Sequence, residues 1–275
     1  MKLRFLITAA ASAAAPLAAL MAPPPAGAAV PATASTNWAG YAVNGGNRGF
    51  RRAVSTWRVP TGTCQSGRAT YSAAWVGLGG YRDSSRSLEQ IGTEFDCRAS
   101  GRPRYSAWYE LVPAVSRNLS MRVRAGDLIA ASVQVRGRRV TLTLRNRTSG
   151  ARFRKVARMS SPDLTSAEWI VEAPSACNSA GRCRELPLSA FADIPFGSAT
   201  ATDGAGHTGT ISDPAWSVTR LNLTQAGQGG RSGPVSGAGA SPSDLFSGGA
   251  AFTVTYQSQS GAQGRRARSL PGLAR

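Results

Sequence analysis

Ser166-Ala167-Glu168-Trp169-Ile170-Val171-Glu172 is the stretch on which the reading of this chain turns. It is apolar at its middle and carries a carboxylate near each end, in a chain with 14 acidic residues against 32 basic ones. As a β-strand it would alternate its side chains, with Glu168, Ile170 and Glu172 on one face and Trp169 and Val171 on the other. Two acids and one isoleucine make a poor core face and suit the floor of a cleft. The plain alternative is an edge strand whose glutamates are simply solvated.

Working outward, Leu88-Glu89-Gln90-Ile91-Gly92-Thr93-Glu94-Phe95-Asp96-Cys97 alternates in the same way. Ile91, Thr93, Phe95 and Cys97 form a core-like face. Gln90, Gly92, Glu94 and Asp96 form a polar one, with the glycine leaving space between an amide and two carboxylates. Other strand-like runs are Val54–Val59, which stops at Pro60, Tyr71–Leu78, Arg104–Leu111, Leu128–Val135, Val140–Leu144, Phe153–Met159, Leu188–Phe191, Thr208–Ile211, Ser217–Leu223 and Ala251–Tyr256. Arg136-Gly137-Arg138-Arg139 reads as a hairpin turn, and residues 225–239 as a Gly/Ser-rich loop. Helical periodicity never persists beyond about two turns. The pattern predicts an all-β chain, an antiparallel β-sandwich or jelly roll in a single domain over residues 30–257.

Residues 1–29 read as a secretory leader: Lys2 and Arg4, an apolar run to Met21, and small residues at Ala26-Gly27-Ala28. Residues 258–275 read as a basic, disordered tail. The chain is therefore expected to be exported, without a membrane span after cleavage. Its formal charge is +18, or +16 without Lys2 and Arg4, and nearly all of it is arginine. Such a balance suits an anionic partner, yet no nucleic-acid module is recognisable and none is expected to bind. The four cysteines of an exported chain imply two disulfides. Cys177 and Cys183 close a short turn-rich loop, which leaves Cys64 with Cys97.

Several chemistries fail on residue type. His207 is the only histidine, no Gly-x-Ser-x-Gly elbow surrounds a serine, and paired thiols are not nucleophiles. No zinc-ligand spacing occurs, so no metal and no cofactor are expected. Carboxylate chemistry remains. Glu168 and Glu172 cannot be each other's glycosidase partner, because residues four apart on a strand lie about 13 Å apart. Such pairs need about 5–5.5 or 6.5–9.5 Å, and Ile170 stands where a third acid would be required.

The two polar faces together resemble those of the glutamic peptidases, or eqolisins, which use a glutamine and a glutamate on a concanavalin A-like β-sandwich. Asn37-Trp38-Ala39-Gly40, Trp75-Val76-Gly77-Leu78, Gln90-Ile91-Gly92, Ala107-Trp108-Tyr109-Glu110, Gly126-Asp127 and Ala167–Glu172 each look like family motifs, in the family's order. The Cys177–Cys183 loop falls where the family has a small disulfide loop. The resemblance spans residues 37–256. It implies an acid-acting endopeptidase, expected to be monomeric, with polypeptide substrates and with Gln90 and Glu172 as catalytic pair. Trp75 and Trp108 would be cleft walls, Glu94 and Glu110 would orient Gln90 or line subsites, and Glu168 would be a supporting neighbour. A glutamate near its reference pKa of about 4.3 would serve as base in mild acid.

Gly79 stands where fungal members carry an aspartate, and Glu94 where aspartate is common. Few residues separate the expected leader from Asn37, so control by an N-terminal prosegment is not expected. The rival reading is a non-catalytic secreted sandwich that binds carbohydrate or cell wall by stacking sugars on Trp38, Trp57 and Trp216.

Overall fold

The structure, a computed structural model, describes residues 30–177, 183–225 and 238–258. The expected leader, most of the Gly/Ser-rich loop and nearly all of the expected tail lie outside the described residues. Within them every regular element is a strand.

In chain order, β1 (Ala32–Ser35), β2 (Trp38–Asn44) and β3 (Phe50–Arg58) open the domain. After the two-residue β4 (Gly62–Thr63) comes a meander of β5 (Ala73–Gly79), β6 (Leu88–Cys97) and β7 (Pro103–Val112), edged by β8 (Arg117–Asn118). A second meander contains β9 (Leu128–Arg136), β10 (Arg139–Asn146) and β11 (Arg152–Arg158), and then comes β12 (Ser166–Glu172). β13 (Ser175–Cys177) and β14 (Cys183–Glu185) form the cystine hairpin, and β15 (Ala190–Phe191) pairs with β4. The chain finishes with β16 (Ile194–Asp203), β17 (Thr208–Thr210), β18 (Ser217–Thr224), β19 (Ala238–Pro242) and β20 (Phe252–Ser258).

The long strands form one continuous sheet, ordered β11-β10-β9-β3-β16-β20-β19-β18-β2-β12-β5-β6-β7-β8. It folds back on itself, so that β3, β9 and β10 pack across a core from β12, β5 and β6. The core is filled by the inward half of each alternating strand: Ala74, Val76 and Leu78, Ile91 and Phe95, Trp169 and Val171, Val133, Val135, Leu142 and Leu144. Two buried indoles span it with their polar ends satisfied. Trp169 Nε1 donates to the Val54 carbonyl at 2.8 Å, and Trp57 Nε1 donates to Thr93 Oγ1 at 2.9 Å. Such pairing removes the cost of leaving an indole N–H unbonded in the core.

β12 lies between β2 and β5, so the edge-strand alternative does not hold. Both expected disulfides are present, Cys64–Cys97 and Cys177–Cys183. The sugar-stacking alternative loses two of its three indoles: Trp57 is 1 % exposed and Trp216 6 %. The sequence pattern also misses a principal strand. β16 contains Pro195 and Gly197, and its register shifts between Gly197 and Thr200. Its inward residues are Ile194 and Phe196 before that bulge and Ala199 and Ala201 after it. The change of phase hides the period-two pattern.

Candidate active site

The outward face of β2, β12, β5, β6 and β7 carries the candidate residues. Cross-strand register sets their rows. Glu168 lies level with Gly77, Gln90 and Glu110; Ile170 with Trp75, Gly92 and Trp108; Glu172 with Trp38, Ala73, Glu94 and Ser106. Gln90 and Glu172 are thus two strands apart and four residues out of line, and their side chains make no hydrogen bond to one another.

Trp75 occupies the ground between them. A Cβ on Gly92 would lie 2.4 Å from the Ala74 carbonyl oxygen and 2.7 Å from Trp75 Cβ, and one on Gly77 would lie 2.9 Å from the far edge of the Trp75 ring. The two glycines therefore make a bed for the indole. The space expected beside Gly92 is filled from the next strand and is not open cleft. Trp75 packs with Trp108, Ile170, Ala42 and Leu88 in a second apolar cluster, separate from the main core. Trp38 meets it edge-on at 5.1 Å between ring centroids.

Held in this way, Trp75 Nε1 donates to Glu172 Oε2 at 2.8 Å, and Asn37 Nδ2 donates to Oε1 at 3.4 Å. Burial pushes the Glu172 carboxyl up from its ordinary 4.5 to about 7; the Trp75 hydrogen bond restrains the rise and the nearby Glu110 charge adds to it. The expectation that Glu172 titrates near the reference glutamate value is corrected accordingly. Gln90 is 4 % exposed, and its Nε2 donates to Glu110 Oε2 at 2.7 Å. That bond fixes which way the amide points and leaves the second N–H of Nε2 for another acceptor. Burial raises Glu110 as well, with the Gln90 bond opposing and the Glu94 charge adding. Glu94 itself accepts from Ser106 Oγ at 2.6 Å.

Glu168 is placed differently from a cleft-side helper. It is fully buried, with no hydrogen-bond partner on either carboxylate oxygen. Desolvation pushes its pKa well up; the nearby Ser166 hydroxyl, which makes no well-formed hydrogen bond to it, opposes the rise, and the charges of Asp163 and Glu89 add to it. Glu89 points to the core side of β6 and is raised to about 8 by burial. The sequence pattern gave Glu89 no role. Asn37 was visible in its motif without a function. Asp163 carried no signal, sitting in a loop. A Cβ on Gly79, whose φ is +80°, would lie 2.5 Å from Asp163 Cβ, so Asp163 takes the space a side chain at position 79 would need. Its carboxylate accepts from Ser85 Oγ, Gly80 N and Thr165 N.

The profile of the peptidase A4 family matches residues 36–259. The chain belongs to this family. It is a peptidase by that membership, of the glutamic class represented among solved structures of the same fold. Scytalido-glutamic peptidase with a peptide-based transition-state analogue is 26 % identical, with TM-score 0.63 over 81 % of this chain and 98 % of that one. Aspergilloglutamic peptidase from Aspergillus niger is 28 % identical, with TM-score 0.53 over 68 % of this chain and 99 % of that one. SCP-B, an eqolisin in complex with the tripeptide Ala-Ile-His, shares the fold at 24 % identity and TM-score 0.60, over 81 % and 98 % of the two chains. No curated protein matches the chain significantly by sequence.

Proposed function

We propose that this A4 peptidase is a secreted, monomeric enzyme that cuts within polypeptide chains in weakly acid solution, using Gln90 and Glu172 as its working pair. The observation that carries the reading is Glu110. It accepts from Gln90 Nε2 at 2.7 Å while its charge raises Glu172, which joins two side chains on separate strands into one unit. Ionised Glu172 takes a proton from a water whose oxygen attacks the scissile carbonyl carbon. The free N–H of Gln90 donates to the oxyanion that forms. Glu172 then returns its proton to the amide nitrogen as the C–N bond breaks. Trp75 favours the ionised form of Glu172 until the proton transfers, and an amide donor such as Gln90 does not titrate.

Two opposing pH effects support the weakly acid range. The ionised fraction of Glu172 falls tenfold per pH unit below its pKa, so the base favours neutrality. Burial of Glu89, Asp96, Glu168 and Glu172 in protonated form favours acid stability. Export is supported by the leader pattern and by two disulfides. The peptide-based transition-state analogue held by scytalido-glutamic peptidase supports a polypeptide substrate. Digestion of a denatured protein between pH 3 and 7, with fragments identified by mass, tests the reading. Internal cuts are expected; trimming confined to chain ends, or no cleavage, would overturn it.

A further inference from the structure

On the far side of the sandwich, β9, β10 and β11 turn their alternate side chains away from the core. That face carries Arg136, Arg139, Arg145, Arg152, Arg154 and Arg158, all exposed. Register sets like charges directly against one another: Arg136 opposite Arg139, Arg139 opposite Arg158, and Arg145 opposite Arg152. Facing like charges destabilise a sheet, and nothing here relieves them. No aspartate or glutamate occurs between Leu128 and Arg158. Among the described residues, His207 contacts Asp213 and an ion pair joins Arg220 to Asp244, and neither involves these six arginines. Three of the six, with Gln134 and Thr141, line a shallow depression of about 310 Å³.

We propose that this face binds a linear phosphate polymer that carries no bases. Guanidinium forks pair bidentately with phosphate oxygens and stay charged at any working pH. In weak acid each internal phosphate of such a chain keeps its charge, whereas a carboxylate polymer becomes partly neutral. No aromatic side chain points outward from β9, β10 or β11, since Phe153 faces inward to stack on Tyr109. The face therefore lacks the platforms on which single-stranded nucleic acid stacks its bases. It also lacks an apolar wedge for insertion into a bilayer. Because the arginines and the Gln90–Glu172 face lie on opposite sides of the sandwich, a bound polymer would hold the enzyme with its peptidase face free.

The test is binding of the full mature chain to inorganic polyphosphate at pH 5, followed over a salt series. Six engaged charges correspond to a log–log salt slope of about −4, by analogy with single strands. Arg136→Gln/Arg139→Gln/Arg154→Gln is expected to weaken binding at least tenfold and to about halve the slope. Arg265→Gln/Arg266→Gln/Arg268→Gln, in the basic tail, is expected to leave binding within about twofold. Loss of binding in the tail variant with none in the face variant would overturn the proposal. So would equal or tighter binding of oligothymidylate or polyglutamate at the same pH, or no binding by the wild-type chain.

Discussion

Trp75 Nε1 reaches Glu172 Oε2 at 2.8 Å across the register of two neighbouring strands, from an indole laid between Gly77 and Gly92. Of the hydrogen bonds that oppose the burial raising Glu172, this one counts most. Trp75→Phe keeps an aromatic ring, though a smaller one, and removes the donor. The pKa of Glu172 should rise by about one unit or more, as expected for losing a hydrogen bond to a charged group. The acid limb of kcat/KM should move up in pH correspondingly. An unmoved limb would separate Trp75 from the titration of the base.

Glu110→Gln acts with the opposite sign. It removes the like charge that raises Glu172, while its amide oxygen can still accept from Gln90. The acid limb should shift down in pH with kcat retained within about tenfold. A limb that rises instead would contradict the electrostatic link between the two acids.

The bed of glycines makes a stability prediction. Gly92→Ala places a methyl against backbone, 2.4 Å from the Ala74 carbonyl oxygen, which no rotamer change relieves. Overpacking of this kind costs about 1–3 kcal/mol or more. A lowered denaturant midpoint, with the melting temperature falling in step, would register it.

The raised carboxyls set how stability depends on pH. In the unfolded chain a glutamate ionises near 4.5, whereas Glu89 holds its proton to about 8 and Glu172 to about 7. Stability from these groups is therefore fully present below pH 4.5 and is lost as pH rises through the folded values. Asp163 is lowered and works the other way, losing its contribution only in stronger acid. The melting temperature should be higher at pH 4 than at pH 8. Glu168→Gln should raise it at pH 8 and change it little at pH 4. Equal melting temperatures at both pH values would refute this.

Alternation made much of this legible in the sequence. β6 and β12 were read with their correct faces because neither contains a bulge or a proline, and the inward Ile91, Phe95, Trp169 and Val171 are large and apolar. β16 escaped because its phase changes at Gly197 and its later inward residues are alanines. In the site, residue types and motif order pointed to Gln90, Glu110 and Glu172. What alternation cannot express is where a side chain leans. It gave no sign that Trp75 fills the space beside Gly92, that Asp163 occupies the ground at Gly79, or that Glu168 is sealed in without a partner. The raised pKa of Glu172 is invisible to the sequence for the same reason, since burial is a property of neighbours brought from β2, β5 and β7.

The most direct measurement is kcat/KM on an internally quenched peptide for the wild type, Gln90→Ala and Glu172→Gln, each shown to be folded by its melting transition. Gln90→Ala should lose about 10²–10³ in kcat, the cost of one oxyanion donor. Glu172→Gln should lose all measurable turnover across pH 3–7. Retention of more than about a tenth of wild-type kcat by either folded variant would contradict the assignment of the pair.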